Sequence, residues 1–94
     1  MAQLLTEVEI QEQAKVLLGW TVEDSKKLQI TRTFKDFIQA IEFVNKLVEP
    51  GESAGHHPDI EISYNKVKIT LTTHDAGGLT QTDFDVAQVI SQIN

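Results

Sequence analysis

The sequence predicts an α+β protein: a four-stranded antiparallel sheet with three helices on one face, in the order α-β-β-α-β-β-α. Apolar residues recur at helical spacing in three segments, each opened by a capping signal. Between those segments the period changes to two, and each alternating stretch is interrupted by a short polar turn, which makes it a hairpin. Hairpins pair antiparallel, so a single sheet with its helices gathered on one side is the simplest closure. With 94 residues, no repeat and no linker, the chain is expected to form one domain, 1–94.

The first helix starts at Thr6, where Glu9 completes a capping box and Leu5 and Ile10 are placed as a hydrophobic staple. Ile10, Ala14, Leu17 and Leu18 mark its apolar face, and Gly19 can close it in a left-handed conformation. Trp20 to Val22, a polar turn from Glu23 to Lys27, and Leu28 to Thr33 form the first hairpin. The second helix is expected to start near Thr33 with Asp36 at the capping position. Its stripe reads Phe34, Phe37, Ile38, Ile41, Val44 and Val48, and Pro50-Gly51 is read as its end. A loop, Gly51 to Gly55, leads into the second hairpin, where Ile60, Ile62 and Tyr64 alternate with polar residues, as do Val67, Ile69 and Leu71. The third helix has Thr80 and Asp83 as its capping box, Leu79 and Phe84 as its staple, and Val86, Val89, Ile90 and Ile93 as its stripe.

Composition excludes several classes. Eight Lys and Arg against fourteen Asp and Glu leave a net charge of −6, and the basic residues are dispersed. Binding to a phosphate backbone depends on clustered positive charge, so nucleic acid is not an expected partner, nor is an anionic membrane surface. Cysteine is absent, which removes disulfides, thiolate nucleophiles and cysteine metal sites. No apolar run is long enough to span a bilayer, and Met1 to Glu7 lacks the features of a signal peptide, so a cytoplasmic location is expected. A chain this short buries only about 60–65% of its unfolded surface, which makes homo-oligomerisation a reasonable expectation.

The second hairpin carries the functional argument. If Asn65-Lys66 is its two-residue turn, Tyr64 faces Val67, Ile62 faces Ile69 and Ile60 faces Leu71, and every apolar residue lands on one side. Continued to the open end, that ladder brings Pro58 opposite Thr73 and His57 opposite His74, at the roughly 4.5–5.5 Å typical of facing residues. His56 is adjacent, so all three histidines of the chain gather at one strand end.

Three imidazoles in one place admit three readings: a solvated rim, a metal site, or acid–base chemistry. Adjacent His56 and His57 point apart in extended chain, which counts against joint ligation, and no metal is expected. Imidazole exchanges protons near neutral pH, and coupled rings can divide acid and base roles between them. Ser53 and Ser63 sit in no triad pattern, and Gly77-Gly78 is a turn before a helix with no phosphate-loop spacing.

Glu52, three residues, His56-His57-Pro58, five residues, Tyr64, nine residues, His74 and then Asp83 form a pattern that resembles the pterin-4a-carbinolamine dehydratases. Tyr64 to Val67, Thr73 to Thr80, Gly19-Trp20 and Phe34 to Phe37 are similar to that family as well, so the resemblance covers nearly the whole chain. It implies dehydration of a 4a-hydroxytetrahydropterin, left by aromatic amino-acid hydroxylases, to the quinonoid dihydropterin during tetrahydrobiopterin recycling. No metal or organic cofactor is implied. His56, His57 and His74 would supply the acid, base and substrate-holding roles, with His74 or His56 protonating the departing hydroxyl and His57 contacting substrate. Pro58 and the run Thr73, His74, Asp75, Ala76 would line the pterin pocket.

Asp83 and Glu52 are supporting candidates. Asp83 also has a purely structural reading as a capping residue, and Glu52 as a solvated charge or as the orienter of an imidazole. Trp20 and Tyr64 are read as core or strand residues. Ile60 stands where animal members carry an aromatic residue. The resemblance also implies a homodimer or homotetramer, and it leaves a second function open: a non-catalytic module for transcriptional dimerisation or enzyme assembly. Relatives of the assembly kind tend to lack the histidine motif, which is intact here.

Overall fold

The computed structural model describes residues 3–93, so residues 1, 2 and 94 of the expected domain lie outside the described residues. Capping chemistry sets where three of the helices begin. The Thr6 N–H donates to Glu9 Oε1 at 2.8 Å and the Glu9 N–H to Thr6 Oγ1 at 3.2 Å, opening α1 (Glu7–Ala14). The Gln39 N–H donates to Asp36 Oδ1 at 2.9 Å, so α2 (Phe37–Asn45) starts at the expected cap and Thr33 is left to the preceding strand. Thr80 and Asp83 cap the last helix, α4 (Gln81–Ser91).

The sheet contains β1 (Thr21–Glu23), β2 (Lys27–Thr33), β3 (Asp59–Ser63) and β4 (Lys66–Leu71) in the order β1-β2-β4-β3, all antiparallel. Leu28 and Ile30 of β2 pair with Leu71 and Ile69 of β4, and these residues with Val67 are buried beneath the helices. The opposite face carries Gln29, Thr31, Lys68 and Thr70 and stays open. The α-β-β-α-β-β-α order and the one-sided layering therefore match the expectation.

Three local readings need correction. The chain between α2 and β3 is a further short helix, α3 (Val48–Ala54), which shares with α2 the place of the single expected helix. Pro50 lies in the first turn of α3, where its missing N–H is not needed, so it opens a helix instead of ending one. Gly55 closes α3 at φ 59°, and Glu52 stands on a helix, not in a loop.

The inward face of α2 also differs. Ala40 and Phe43 are buried on it, continued by Leu47, while Phe37, Ile38 and Val48 are exposed. A segment apolar on nearly all sides offers two stripes, and the one that packs on the sheet is set by the neighbours it meets. Leu18 and Val89, likewise expected on apolar faces, are exposed, α1 having ended at Ala14.

The third correction concerns register. Ile60 pairs with Ile69 and Ile62 with Val67, a shift of two residues from expectation, and the turn is Tyr64-Asn65, with Tyr64 at φ 53°. A two-residue shift leaves every side chain on the same face, so apolar alternation cannot detect it. Asn65 is committed elsewhere: its Nδ2 donates to the Phe34 carbonyl at 2.8 Å, and its own carbonyl accepts the Phe34 N–H at 2.8 Å. The hairpin tip is thereby tied to the approach to α2. Because the ladder ends at Asp59 and Thr70, His57 does not face His74; continued outward, the register would set His56 near Thr73.

Packing at the far end of α4 fixes that helix over the sheet. Arg32 Nη1 donates to the Ile93 carbonyl at 2.7 Å and Nη2 to that of Ser91 at 3.3 Å, with the guanidinium 5.1 Å from the centre of the Phe43 ring. The indole N–H of Trp20, a core residue as expected, donates to Ser91 Oγ at 2.7 Å. The two Arg32 bonds satisfy carbonyls at the helix C-terminus, and the Trp20 bond ties the same end to the core.

Candidate active site

Beyond β4 the chain folds into a tight loop around Thr73. The Thr73 N–H donates to the Gly78 carbonyl at 3.0 Å, while the Thr73 carbonyl accepts the N–H groups of Ala76 and Gly77 at 3.1 and 3.0 Å. Gly77 closes the 3₁₀ turn His74–Ala76 at φ 79°, a conformation that glycine adopts without a Cβ penalty. This loop leaves the His74 and Asp75 side chains exposed at its tip and turns the Thr73 hydroxyl inward.

Asp83 is the centre of the inward cluster and is fully buried. Its Oδ2 accepts the Thr73 hydroxyl at 2.8 Å and the Thr80 N–H at 2.9 Å. Its Oδ1 lies 2.5 Å from His56 Nε2, and the His56 ring is itself only 16% exposed. The charge of the carboxylate sits in the first turn of α4, where the helix dipole favours it. Asp83 thus caps the helix through one oxygen, as its structural reading expects, while the other oxygen lies against the His56 ring.

His57 belongs to a second pair. Its Nε2 lies 2.5 Å from Glu52 Oε2, with both side chains about two-thirds exposed at 65% and 66%. Gly51 of α3 sits beside this ring: a Cβ there would stand 3.5 Å from His57 Cδ2 and 3.6 Å from Pro58 Cδ. His57, Pro58 and Glu52 line a cavity of about 240 Å³ whose other wall includes Val44, Val48 and Ile60. A larger cavity of about 500 Å³ lies between α3 and α4 and is lined by none of the histidines.

The structure therefore joins His56, Thr73 and Asp83 in one hydrogen-bonded cluster, and His57, Pro58 and Glu52 around another. His74 and Asp75 stay at the loop tip, next to Thr73 and Ala76 in the chain. Among the described residues, no three His, Cys, Asp or Glu side chains are grouped so as to hold a metal ion. Tyr64 is exposed at the hairpin turn and lies outside both clusters. Sequence reasoning missed Thr80 as a partner of the Thr73 hydroxyl, at 2.8 Å; its one signal was the capping box that placed Thr80 three residues before Asp83.

The chain is similar to known proteins over nearly its whole length. The model of the family described as pterin 4 alpha carbinolamine dehydratase matches residues 3–93. A Nostoc punctiforme protein provisionally named pterin-4-alpha-carbinolamine dehydratase is 88% identical over 93 residues, covering 99% of each chain. An Acidobacterium capsulatum protein with the same provisional name is 47% identical over 93 residues, covering 99% of each chain. The crystal structure of a transcriptional coactivator/pterin dehydratase from Brucella melitensis superposes with a TM-score of 0.85 at 34% identity, covering 92% of this chain and 93% of that one. A pterin dehydratase-like protein identified as a RuBisCO assembly factor in the alpha-carboxysome shares the fold, with a TM-score of 0.64 at 23% identity, covering 78% of this chain and 86% of that one.

Proposed function

The chain belongs to the pterin-4a-carbinolamine dehydratase family, and from that premise we propose that it removes water from 4a-hydroxytetrahydropterin by histidine acid–base catalysis, in tetrahydrobiopterin recycling. The observation that carries this reading is the buried carboxylate of Asp83 set 2.5 Å from the ring of His56. A carboxylate behind an imidazole fixes the orientation and the tautomer of the ring. The reaction breaks the C4a–O bond as a proton reaches the departing hydroxyl. Loss of the N5 proton supplies the electron pair that closes the C4a=N5 bond, so one acid and one base complete it and release water.

In this reading His56 and His74 are the candidates for proton donor and His57 is a substrate contact steadied by Glu52. Pro58 and the run Thr73 to Ala76 border the pterin, and no metal or organic cofactor takes part. The chain acts as a single cytoplasmic domain assembled into a homodimer or homotetramer. Support for assembly comes from the exposed apolar side chains of Phe37, Ile38 and Val48 on α2 and α3, and from the half-exposed Ile60 and Ile62 on the edge strand. Among the described residues no helix is long and apolar enough to cross a membrane.

The test is direct. The carbinolamine is generated with an aromatic amino-acid hydroxylase, and its decay is followed alone, with the native chain, and with a His56→Ala variant. Faster decay with the native chain and a loss of about a hundredfold or more in the variant is the expected result. Equal rates in all three would leave the binding or assembly role, on the same exposed apolar surface, as the better account.

A further inference from the structure

Thr73 stands among the residues proposed to border the pterin, but only its backbone and methyl group are free to do so, because its hydroxyl is committed elsewhere. That hydroxyl donates to Asp83 Oδ2 at 2.8 Å. A hydroxyl has one proton, so the 2.8 Å contact between the Thr73 and Thr80 hydroxyls must run the other way, with Thr80 donating and Thr73 accepting. The chain of donation is therefore directed: Thr80 to Thr73 to Asp83. Oδ2 receives in addition the Thr80 N–H at 2.9 Å.

Both donors thus converge on one oxygen of a fully buried carboxylate, and no buried side-chain nitrogen or oxygen among the described residues lacks a partner. The remaining oxygen, Oδ1, faces the Nε2 of His56 at 2.5 Å. An acceptor-only carboxylate requires a donor there, so the proton of the neutral imidazole sits on Nε2 and Nδ1 is left with the free lone pair.

We propose that Thr73 is a positioning residue: through Asp83 it commits His56 to the Nε2–H tautomer and makes Nδ1 the nitrogen that exchanges a proton with the ligand. The assignment of Nδ1 to proton exchange rests on the dehydratase reading; the tautomer does not. Removing the Thr73 hydroxyl leaves Oδ2 short of a donor and frees the Thr80 hydroxyl. The carboxylate can then turn, and Oδ1 no longer faces His56 alone.

The experiment combines ¹⁵N NMR of the imidazole rings with steady-state kinetics on the native chain, Thr73→Val and Thr73→Ser. The native protein is expected to show His56 as the Nε2–H tautomer. Thr73→Val should mix the tautomers and lower kcat by roughly ten- to a hundredfold, as loss of a group behind a working imidazole does, with KM changed by less than about twofold. Thr73→Ser should restore both readouts.

An Nδ1–H tautomer in the native chain overturns the inference without any variant, even if Thr73→Val does not fold. So does a Thr73→Val protein whose His56 tautomer is unchanged, or one whose KM rises while kcat holds, which would make the Thr73 hydroxyl a ligand contact. A native chain with the expected tautomer and no dehydratase activity would instead sink the functional reading and leave the positioning role standing.

Discussion

The two histidine–carboxylate pairs have the same chemistry and the same 2.5 Å separation, yet they occupy opposite environments. His56 and Asp83 are 16% and 0% exposed, whereas His57 and Glu52 are 65% and 66% exposed. In the first pair the carboxylate is held by a hydroxyl and a backbone N–H, in surroundings that strengthen each hydrogen bond. In the second, water and salt compete for both partners, and each side chain gives up rotamer freedom to meet the other. Distance alone would rank the pairs as equals. Burial and the number of further donors separate them, making the first a fixed device and the second an adjustable one at the edge of a cavity.

The largest effect that separates the pairs should come from Asp83→Ala. It strands the Thr73 hydroxyl, the Thr80 N–H and the His56 ring at once, and it removes a helix cap. Loss of one partner from a buried pair costs about 3–5 kcal/mol. Urea unfolding at fixed protein concentration should show a midpoint shift of that order, and dehydratase activity should fall with it. A loss below about 1 kcal/mol, the range of an exposed pair, would erase the distinction between the two sites.

Half of this contrast was legible in the sequence. The Thr80–Asp83 box is local, three residues apart, so composition and spacing sufficed to find it. The His56–Asp83 contact spans 27 residues and depends on where α3 and the loop after β4 come to rest. The hairpin register was predicted on the right face but two residues out, because alternation repeats every two residues while the Asn65–Phe34 bonds that select the register are tertiary. That shift separates His57 from His74, which the alternation alone pairs. The face of α2 was ambiguous for a related reason: Phe37 and Ile38 are as apolar as Ala40 and Phe43, and only the sheet beneath distinguishes them. Pro50-Gly51 resembles a stop because both residues break helix interiors, yet proline is tolerated in a first turn, which is where Pro50 lies.

A smaller effect, of opposite sign, is expected on the His57 side. Gly51 is buried within α3, and a Cβ there would meet His57 Cδ2 at 3.5 Å, Pro58 Cδ at 3.6 Å and the His56 carbonyl at 3.8 Å, all ordinary contacts. Gly51→Ala should therefore stabilise the protein by about 0.5–1 kcal/mol, the usual gain from restricting a helical glycine. Thermal unfolding measures it. Destabilisation would mean that His57 and Pro58 sit against α3 too tightly to admit a methyl group, and that this site is more rigid than its exposure suggests.

The smallest change should come from Glu52→Gln. It keeps the shape and a hydrogen-bonding carbonyl but removes the charge facing His57. An exposed pair contributes about 0.2–1 kcal/mol, so the loss in urea unfolding should stay within that range and shrink as salt is raised from low to molar concentration. The kinetic consequence follows from the role proposed for His57: a ring that meets substrate from an adjustable position should show the change in KM, with kcat nearly constant. If kcat instead fell as far as in the His56→Ala variant, the exposed pair would be carrying proton transfer, and burial would be the wrong guide to which histidine does the chemistry.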